Sequence, residues 1–337
     1  PGVNILLGDN AQGKTNLIEA VYFAAIGKSF RGAHEADFIR FDQKSARIGV
    51  AFRDSLREQR IDIELSRSKS RSVTQNGVKI SRMSEIVGQL RAVLFCPEHL
   101  NIIKEGPAMR RQYLDVAISQ LRPLYMRSLQ RYNRILQQRN KLIKAAAEPE
   151  GRRNFDETVE FWSSELAHEA AFITVSRVKY LELASAVVGE CFDEMTGGRE
   201  VPEIEYMPSV RMSADEMRDA ARCEEIYAGR LAENHDREIA VGATLWGTHK
   251  DDMEIRINDR PARQFASQGQ QRSLSLALKL AEGAISRRDS GEEPVFLLDD
   301  VFSELDAGRR AYLTEKMREK QIILSTCTEH EGDMGSA

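Results

Sequence analysis

Apolar residues recur along this chain with three different periods, and each period predicts a different element. A short apolar run, Val3-Asn4-Ile5-Leu6-Leu7, reads as a buried strand, and a helical stretch follows through Asn16, Leu17, Ile18, Glu19, Ala20, Val21 and Tyr22. From Ser45 to Arg82 the period falls to two: Arg47-Ile48-Gly49-Val50-Ala51-Phe52, then Arg60-Ile61-Asp62-Ile63-Glu64-Leu65, then Val73-Thr74-Gln75. Asn76-Gly77, ahead of Val78 and Ile80, is a hairpin signal because these residues tolerate positive φ. The region predicts an antiparallel meander with one exposed face. Ala92-Val93-Leu94-Phe95 is a further buried strand, closed by Cys96-Pro97.

At Pro107 the period lengthens. Ile118, Leu121, Tyr125, Leu129, Tyr132 and Leu136 predict one long helix with a single apolar stripe and an arginine-rich opposite face. Glu148-Pro149-Glu150-Gly151 makes a break, and Phe155, Val159, Trp162, Leu166, Ala170 and Ile173 make a second stripe. Two such helices joined by a short loop fold back on each other as an antiparallel hairpin, with Trp162 and the tyrosines packed inside. Gly197-Gly198 ends the helical block. Glu203-Ile204-Glu205-Tyr206 returns to strand, a helix is expected over 214–233, and Met253, Ile255 and Ile257 mark another strand before a turn at Asn258-Asp259-Arg260-Pro261. Leu274, Leu276, Leu278 and Leu280 lie on a long helix, Val295-Phe296-Leu297-Leu298 forms a buried strand, and Gln321-Ile322-Ile323-Leu324-Ser325 a last one. Strands at both ends around a helical block predict an α/β fold with an inserted helical lobe.

Length and charge sharpen this. With 337 residues the chain has room for two lobes. Its formal net charge is only −4, so attraction to nucleic acid must come from local patches. Between Arg53 and Arg91 there are nine Lys or Arg against five Asp or Glu, and between Gly106 and Arg153 eleven against three. The four cysteines, Cys96, Cys191, Cys223 and Cys327, are far apart, which argues against zinc and a disulfide framework and fits a reducing cytoplasm. No run reaches the length of a membrane helix. The chain opens at Pro1 directly on a strand, without an initiator Met. The true N-terminus is expected to lie ahead of it.

The candidate chemistry begins at Gly8-Asp9-Asn10-Ala11-Gln12-Gly13-Lys14-Thr15, a P-loop between strand and helix. Its glycines let the backbone wrap phosphates, Lys14 reaches the β- and γ-phosphates of ATP, and the Thr15 hydroxyl ligates Mg2+. Asn16 completes the set of P-loop contacts. Val295-Phe296-Leu297-Leu298-Asp299-Asp300 is a Walker B pattern: Asp299 holds Mg2+, and Asp300 stands where a base polarises the attacking water. Ser267, Gln268, Gly269 and Gln270 open a helix and offer a second anion-binding terminus. Ser303-Glu304-Leu305-Asp306 is a tight polar turn after the Walker B strand. His249 with Asp251 and Asp252 could be mistaken for a metal site, but ligands so close in sequence rarely converge on one ion.

P-loop, S-x-G-Q-Q-R, L-L-D-D and S-E-L-D, in that order around a helical insertion, resemble an ABC-type ATPase head. G-D-N-A-Q-G-K-T-N-L-I-E-A, F-C-P-E-H-L followed by Arg110-Arg111, G-T-H-K-D-D, S-Q-G-Q-Q-R-S-L and L-L-D-D-V-F-S-E-L-D are similar to the RecF family of bacterial DNA replication and repair proteins, from Gly2 to about Thr328. The resemblance implies an ATP site completed by a second copy, with Ser267 and Gly269 of one chain on the γ-phosphate held by the P-loop of the other. It implies an ATP-dependent homodimer on double-stranded and gapped DNA, acting with RecR and RecO to load RecA, with no membrane role. It divides the chain into an ATPase lobe (1–105 and 291–337) and a mainly helical lobe (106–290). Three departures stand out. Walker B ends Asp299-Asp300 where the ABC pattern has Asp-Glu, which implies slow, switch-like ATP hydrolysis. Thr326 stands at the switch histidine, with His330 some residues later, and no glutamine marks a Q-loop between Phe95 and Leu100. Arg57, Arg67, Lys69, Arg71, Arg127, Arg131 and Arg134 are the expected DNA contacts. The alternative is an ABC-type ATPase subunit coupling ATP hydrolysis to a protein partner, but its helical lobe should be short, and this one is long and arginine-rich. A P-loop kinase would leave S-Q-G-Q-Q-R without a role, and the hairpin is far too short for a condensin-like coiled coil.

Overall fold

The computed structural model describes residues 2–327. In chain order the elements are β1 (Val3–Leu7), α1 (Lys14–Ile26), β2 (Ser45–Arg53), β3 (Glu58–Ser66), β4 (Ser72–Gln75), β5 (Val78–Ile80) and β6 (Ala92–Phe95). Next come α2 (Pro107–Leu121), α3 (Pro123–Ala145), α4 (Pro149–Thr196), β7 (Pro202–Met207), α5 (Ala220–Ala232) and α6 (His235–Val241). Then follow β8 (Asp252–Ile257), β9 (Arg260–Pro261), α7 (Ala262–Phe265), α8 (Gln268–Ser290), β10 (Val295–Asp299), α9 (Ala307–Lys316) and β11 (Ile322–Thr326).

These fall into two compact units. One is the described part of Pro1–Ile103 and Ser267–Ala337 together with Val187–Val201; the other is Lys104–Ala186 with Pro202–Ala266. The sequence division at 290 is therefore corrected at α8, which belongs to the first unit. α8 packs on β6 and on the turn Pro97–Asn101, and the Ser275 hydroxyl donates to the Leu100 carbonyl at 3.1 Å.

In the first unit a parallel sheet runs in the order β1-β11-β10-β6. Its centre is dry: Leu297, Leu298, Ile322 and Leu324 have no exposed surface. Gly283 lets α8 settle on β10, because a Cβ there would lie 2.6 Å from the Phe296 ring. β1 differs from the buried strand read from the sequence. It is an edge strand paired only with β11 among the described residues, and Val3, Ile5 and Leu7 are 39%, 40% and 51% exposed. The second sheet is the expected meander, β2-β3-β4-β5. Asn76 and Gly77 both take positive φ, 51° and 81°, which is the twist a two-residue hairpin needs. One face buries Ile48, Ile61, Ile63, Leu65 and Val73. On the other, Arg53 pairs with Glu58, and Arg47 and Arg60 both pair with Asp62.

In the second unit α3 and α4 form the antiparallel hairpin. Ser128 donates to Glu169 at 2.5 Å near one end, and Ile143 and Ala146 pack on Phe155 and Val159 near the other. The single helix read through Ile118 to Leu136 is in fact two. Pro123 has no N–H to continue the ladder, and Arg122 before it takes φ −134° and ψ 97°. The helix expected over 214–233 is shorter too: a 3-10 turn, Glu216–Arg218, precedes α5, whose N-cap Asp219 accepts from the backbone of Ala221 and Arg222. Nor are all the hairpin's arginines on its surface. Arg139 is fully buried, donating to Glu238, Thr244 and Ser163 at 2.6, 2.9 and 3.1 Å. Arg177, 1% exposed, donates to Asp115, the Thr248 carbonyl and the Tyr125 hydroxyl. β7, β8 and β9 form a small antiparallel sheet beside this polar core.

His249 shows how that core titrates. Its Nε2 lies 3.2 Å from the Thr244 carbonyl, which can only accept, so Nε2 carries the proton and Nδ1 accepts from the Tyr132 hydroxyl at 2.6 Å. Burial pushes its pKa down to about 4. The unfolded chain takes up a proton near pH 6.5 that the folded chain refuses, so this ring's contribution to stability is present above pH ~6.5 and is lost as pH falls toward 4. His99, pushed down to about 3 by burial, has the same sign. Buried Asp251, whose pKa burial raises, has the opposite one. The melting temperature of His249→Gln should therefore fall less steeply with acid than the parent's across this window, without becoming flat. Parallel curves would show that the ring is not one of the titrating groups.

Candidate functional site

All four strands of the parallel sheet end at one edge, so the segments after β1, β6, β10 and β11 meet there. α/β folds bind ligands at this edge. A cleft of about 420 Å3 opens on it, lined by Asn10 to Asn16, Asp299 and Asp300, and by Phe30, Arg31, Pro97, Glu98, Ser325 and Cys327. The loop after β1 reaches α1 through Gly13, whose φ of 90° a side chain would oppose. That turn leaves the first N–H groups of α1 pointing out of the helix, a ready anion site. Lys14 donates back to the Gly8 and Asp9 carbonyls, the second at 2.8 Å, so its ammonium closes the loop on itself.

Across the cleft Asp299 is 6% exposed. Its Oδ1 accepts from the Thr15 hydroxyl at 3.0 Å and the Ser325 hydroxyl at 2.7 Å. Ser325 also accepts from the Asp300 amide at 3.1 Å. Asp300 itself has φ 50°, unusual for a residue with a side chain. Among the described residues no cluster of three or more His, Cys, Asp or Glu could hold a metal by itself. Thr15 and Asp299 instead make a hard oxygen pair beside the cleft that the P-loop lines. That suits Mg2+, which takes one or two protein oxygens and completes its shell with water and phosphate.

Gly8 and Asp9 do not line the cleft, and neither do Ser267, Gln268, Gly269 and Gln270. Ser267 caps α8: its hydroxyl accepts the Gln270 N–H at 3.2 Å while the Gln270 side chain accepts the Ser267 N–H at 2.6 Å. The Gln270 amide also donates to Glu200 at 2.5 Å. Arg309, which the sequence did not single out, ties this terminus to the turn after Walker B. It donates to the Gly269 carbonyl at 2.7 Å and the Ser273 hydroxyl at 2.8 Å, and it pairs with Asp306.

Glu98 brings a carboxylate to the cleft where no glutamine was found, and its neighbour His99 anchors the turn through Nδ1–H to the Leu94 carbonyl at 2.9 Å. The signal for it was F-C-P-E, a buried strand stopped by proline. His330 lies outside the described residues. Of the expected DNA contacts, Arg67 and Arg71 bind backbone carbonyls, Arg71 also pairs with Glu35, and Arg131 pairs with Glu165 and Glu169. Arg57, Lys69, Arg127 and Arg134 are exposed, and none forms an ion pair among the described residues. No helix among those residues is long and apolar enough to cross a membrane.

Comparison with known proteins gives consistent results. Residues 1–333 match the RecF/RecN/SMC N terminal domain. The chain is 36% identical over 329 residues to the DNA replication and repair protein RecF of Acetivibrio thermocellus, covering 98% of this chain and 88% of that one. It is similar to the solved structure of the recombination mediator protein RecF-ATPrS in the RecFOR pathway, with a TM-score of 0.91 and 34% identity over 98% of this chain and 87% of the other. For RecF-ATP of the same pathway the TM-score is 0.89, with 33% identity over 97% and 86%.

Proposed function

This chain belongs to the RecF family of DNA replication and repair proteins, built on an ABC-type ATPase head, and from that premise we propose that it is an ATP-gated DNA clamp of recombinational repair and replication restart. ATP binding joins two copies on double-stranded DNA at gaps or junctions, slow hydrolysis resets them, and the dimer assists RecA loading with RecR and RecO.

The observation that carries this reading is the division of labour between two helix termini. The start of α1 lines the cleft with Lys14 and Thr15, whereas the capped start of α8 does not. A second copy is the natural source of the missing terminus, and Ser267 and Gly269 would then meet the γ-phosphate from the partner's side. Lys14 would hold the β- and γ-phosphates, Thr15 and Asp299 the Mg2+, and Asp300 would accept a proton from the attacking water. When bound, Mg-ATP supplies the phosphoryl group whose loss weakens the dimer. Joining two copies gathers two DNA-contacting surfaces, so ATP controls DNA affinity through avidity.

The test is duplex DNA binding with and without ATP, alongside sedimentation. The parent should dimerise and bind DNA only with ATP, while Lys14→Met and Ser267→Arg should each lose both. DNA binding indifferent to ATP and to both substitutions would overturn the clamp and favour an ATPase coupled to a protein partner.

A further inference from the structure

Two loops meet at one end of the meander. The turn Arg40-Phe41-Asp42-Gln43-Lys44 closes through the Gln43 N–H to the Arg40 carbonyl at 2.9 Å, and beside it the Arg67 N–H donates to the Lys44 carbonyl at 3.1 Å. The Arg67 side chain locks the turn, donating to the carbonyls of Ile39, Gln43 and Arg40 at 2.8, 3.2 and 3.3 Å. On this support Phe41 is wholly exposed, against 64% for Phe265 and 61% for Phe161. A phenylalanine ring left in water forgoes its burial free energy. One exposed ring is ordinary on a protein surface, but held out by this turn beside basic side chains it is available to a partner that offers an aromatic face.

Charge identifies that surface. Residues 40–44 and 67–71 hold five Lys or Arg and one Asp, with Ser68 and Ser70 between the bases. Arg71 is balanced by Glu35. Arg40 lies 3.7 Å from Asp42 with both side chains mostly exposed, a pair worth little in water. Lys44 and Lys69 are exposed and form no ion pair among the described residues. The open face of the same sheet is different, its arginines being paired with Glu58 and Asp62.

We propose that this edge is the contact for a DNA junction, with Lys44 and Lys69 on backbone phosphates and Phe41 stacked on a base that has lost its neighbour. The inference rests on the DNA-binding function proposed above and gives it a location. Phosphates account for the lysines but not for the ring. Within a duplex every base is stacked on both faces, whereas the edge of a single-stranded gap offers a free π-face.

The test uses the full chain with ATP and two labelled circular DNAs of equal length, one an intact duplex and one carrying a single-stranded gap. Lys44→Gln with Lys69→Gln should weaken binding to both and flatten the slope of log affinity against log salt by about 2. Phe41→Ser should lose roughly tenfold on the gapped DNA and nothing on the intact duplex. All three side chains are exposed, so the variants should melt like the parent, which checks that folding is intact. A parent that binds neither DNA overturns the clamp and this inference together. A parent that binds DNA, with affinities, salt slope and gap preference that these substitutions leave unchanged, overturns this inference alone.

Discussion

Asp299→Asn is expected to lower Mg2+-dependent ATP hydrolysis by at least about 100-fold while leaving the melting temperature unchanged or slightly raised. The two halves of this expectation have different causes. Asp299 is 6% exposed and forms no ion pair among the described residues; its partners are the hydroxyls of Thr15 and Ser325. A carboxylate kept from water with only neutral donors beside it is costly to the fold. Asn retains an acceptor for both hydroxyls and removes the charge, so the fold should gain or break even. The metal, by contrast, would lose its anionic ligand. Hydrolysis within tenfold of the parent would show that Asp299 does not hold the cation. A large fall in melting temperature would mark the residue as structural instead.

The site was legible in the sequence where local chemistry dictates geometry. The P-loop, the Walker B strand and Ser267 at the start of α8 could be placed because each is a short motif whose surroundings follow from hydrophobic period alone. What could not be read was the sheet order. β6 lies next to β10, although some 200 residues separate them in the chain, and this is what brings Pro97 and Glu98 to the cleft. Nothing local announces such a neighbour. Ser325 was read simply as the end of a strand, yet pairing with β10 sets its hydroxyl between Asp299 and the Asp300 amide.

The misreadings share a cause as well. The stripe through Ile118 to Leu136 kept helical spacing across Pro123, so periodicity hid a break that proline chemistry made. Charge counting was least reliable. Arginines that look free in a basic stretch are used internally when a carboxylate or an open backbone carbonyl stands nearby in space: Arg67 shapes a turn through carbonyls, Arg131 joins two helices through Glu165 and Glu169, and Arg139 is wholly inside.

Arg139→Met should therefore be among the most destabilising single substitutions in the second unit. The guanidinium and Glu238 are both fully buried, and the other Glu238 oxygen accepts the Leu245 N–H at 3.0 Å. Removing the arginine leaves a carboxylate with no cation and no water, at a cost of about 3 to 5 kcal/mol. For a unit of this size that corresponds to a fall of roughly 6 to 20 °C in its melting temperature. Ser163 and Thr244 also lose their donor, but hydroxyls can turn to other partners, so their share is smaller. The double variant Arg139→Met with Glu238→Gln separates charge from packing. Gln can still accept from Leu245 and carries no charge, so the double variant should recover at least half of the loss, a coupling expected only of groups in direct contact. A double variant as unstable as the single one would show that the arginine acts through its bulk alone. In either case the loss should appear in thermal unfolding rather than in the salt dependence of DNA binding, because a side chain with no exposed surface cannot reach a phosphate.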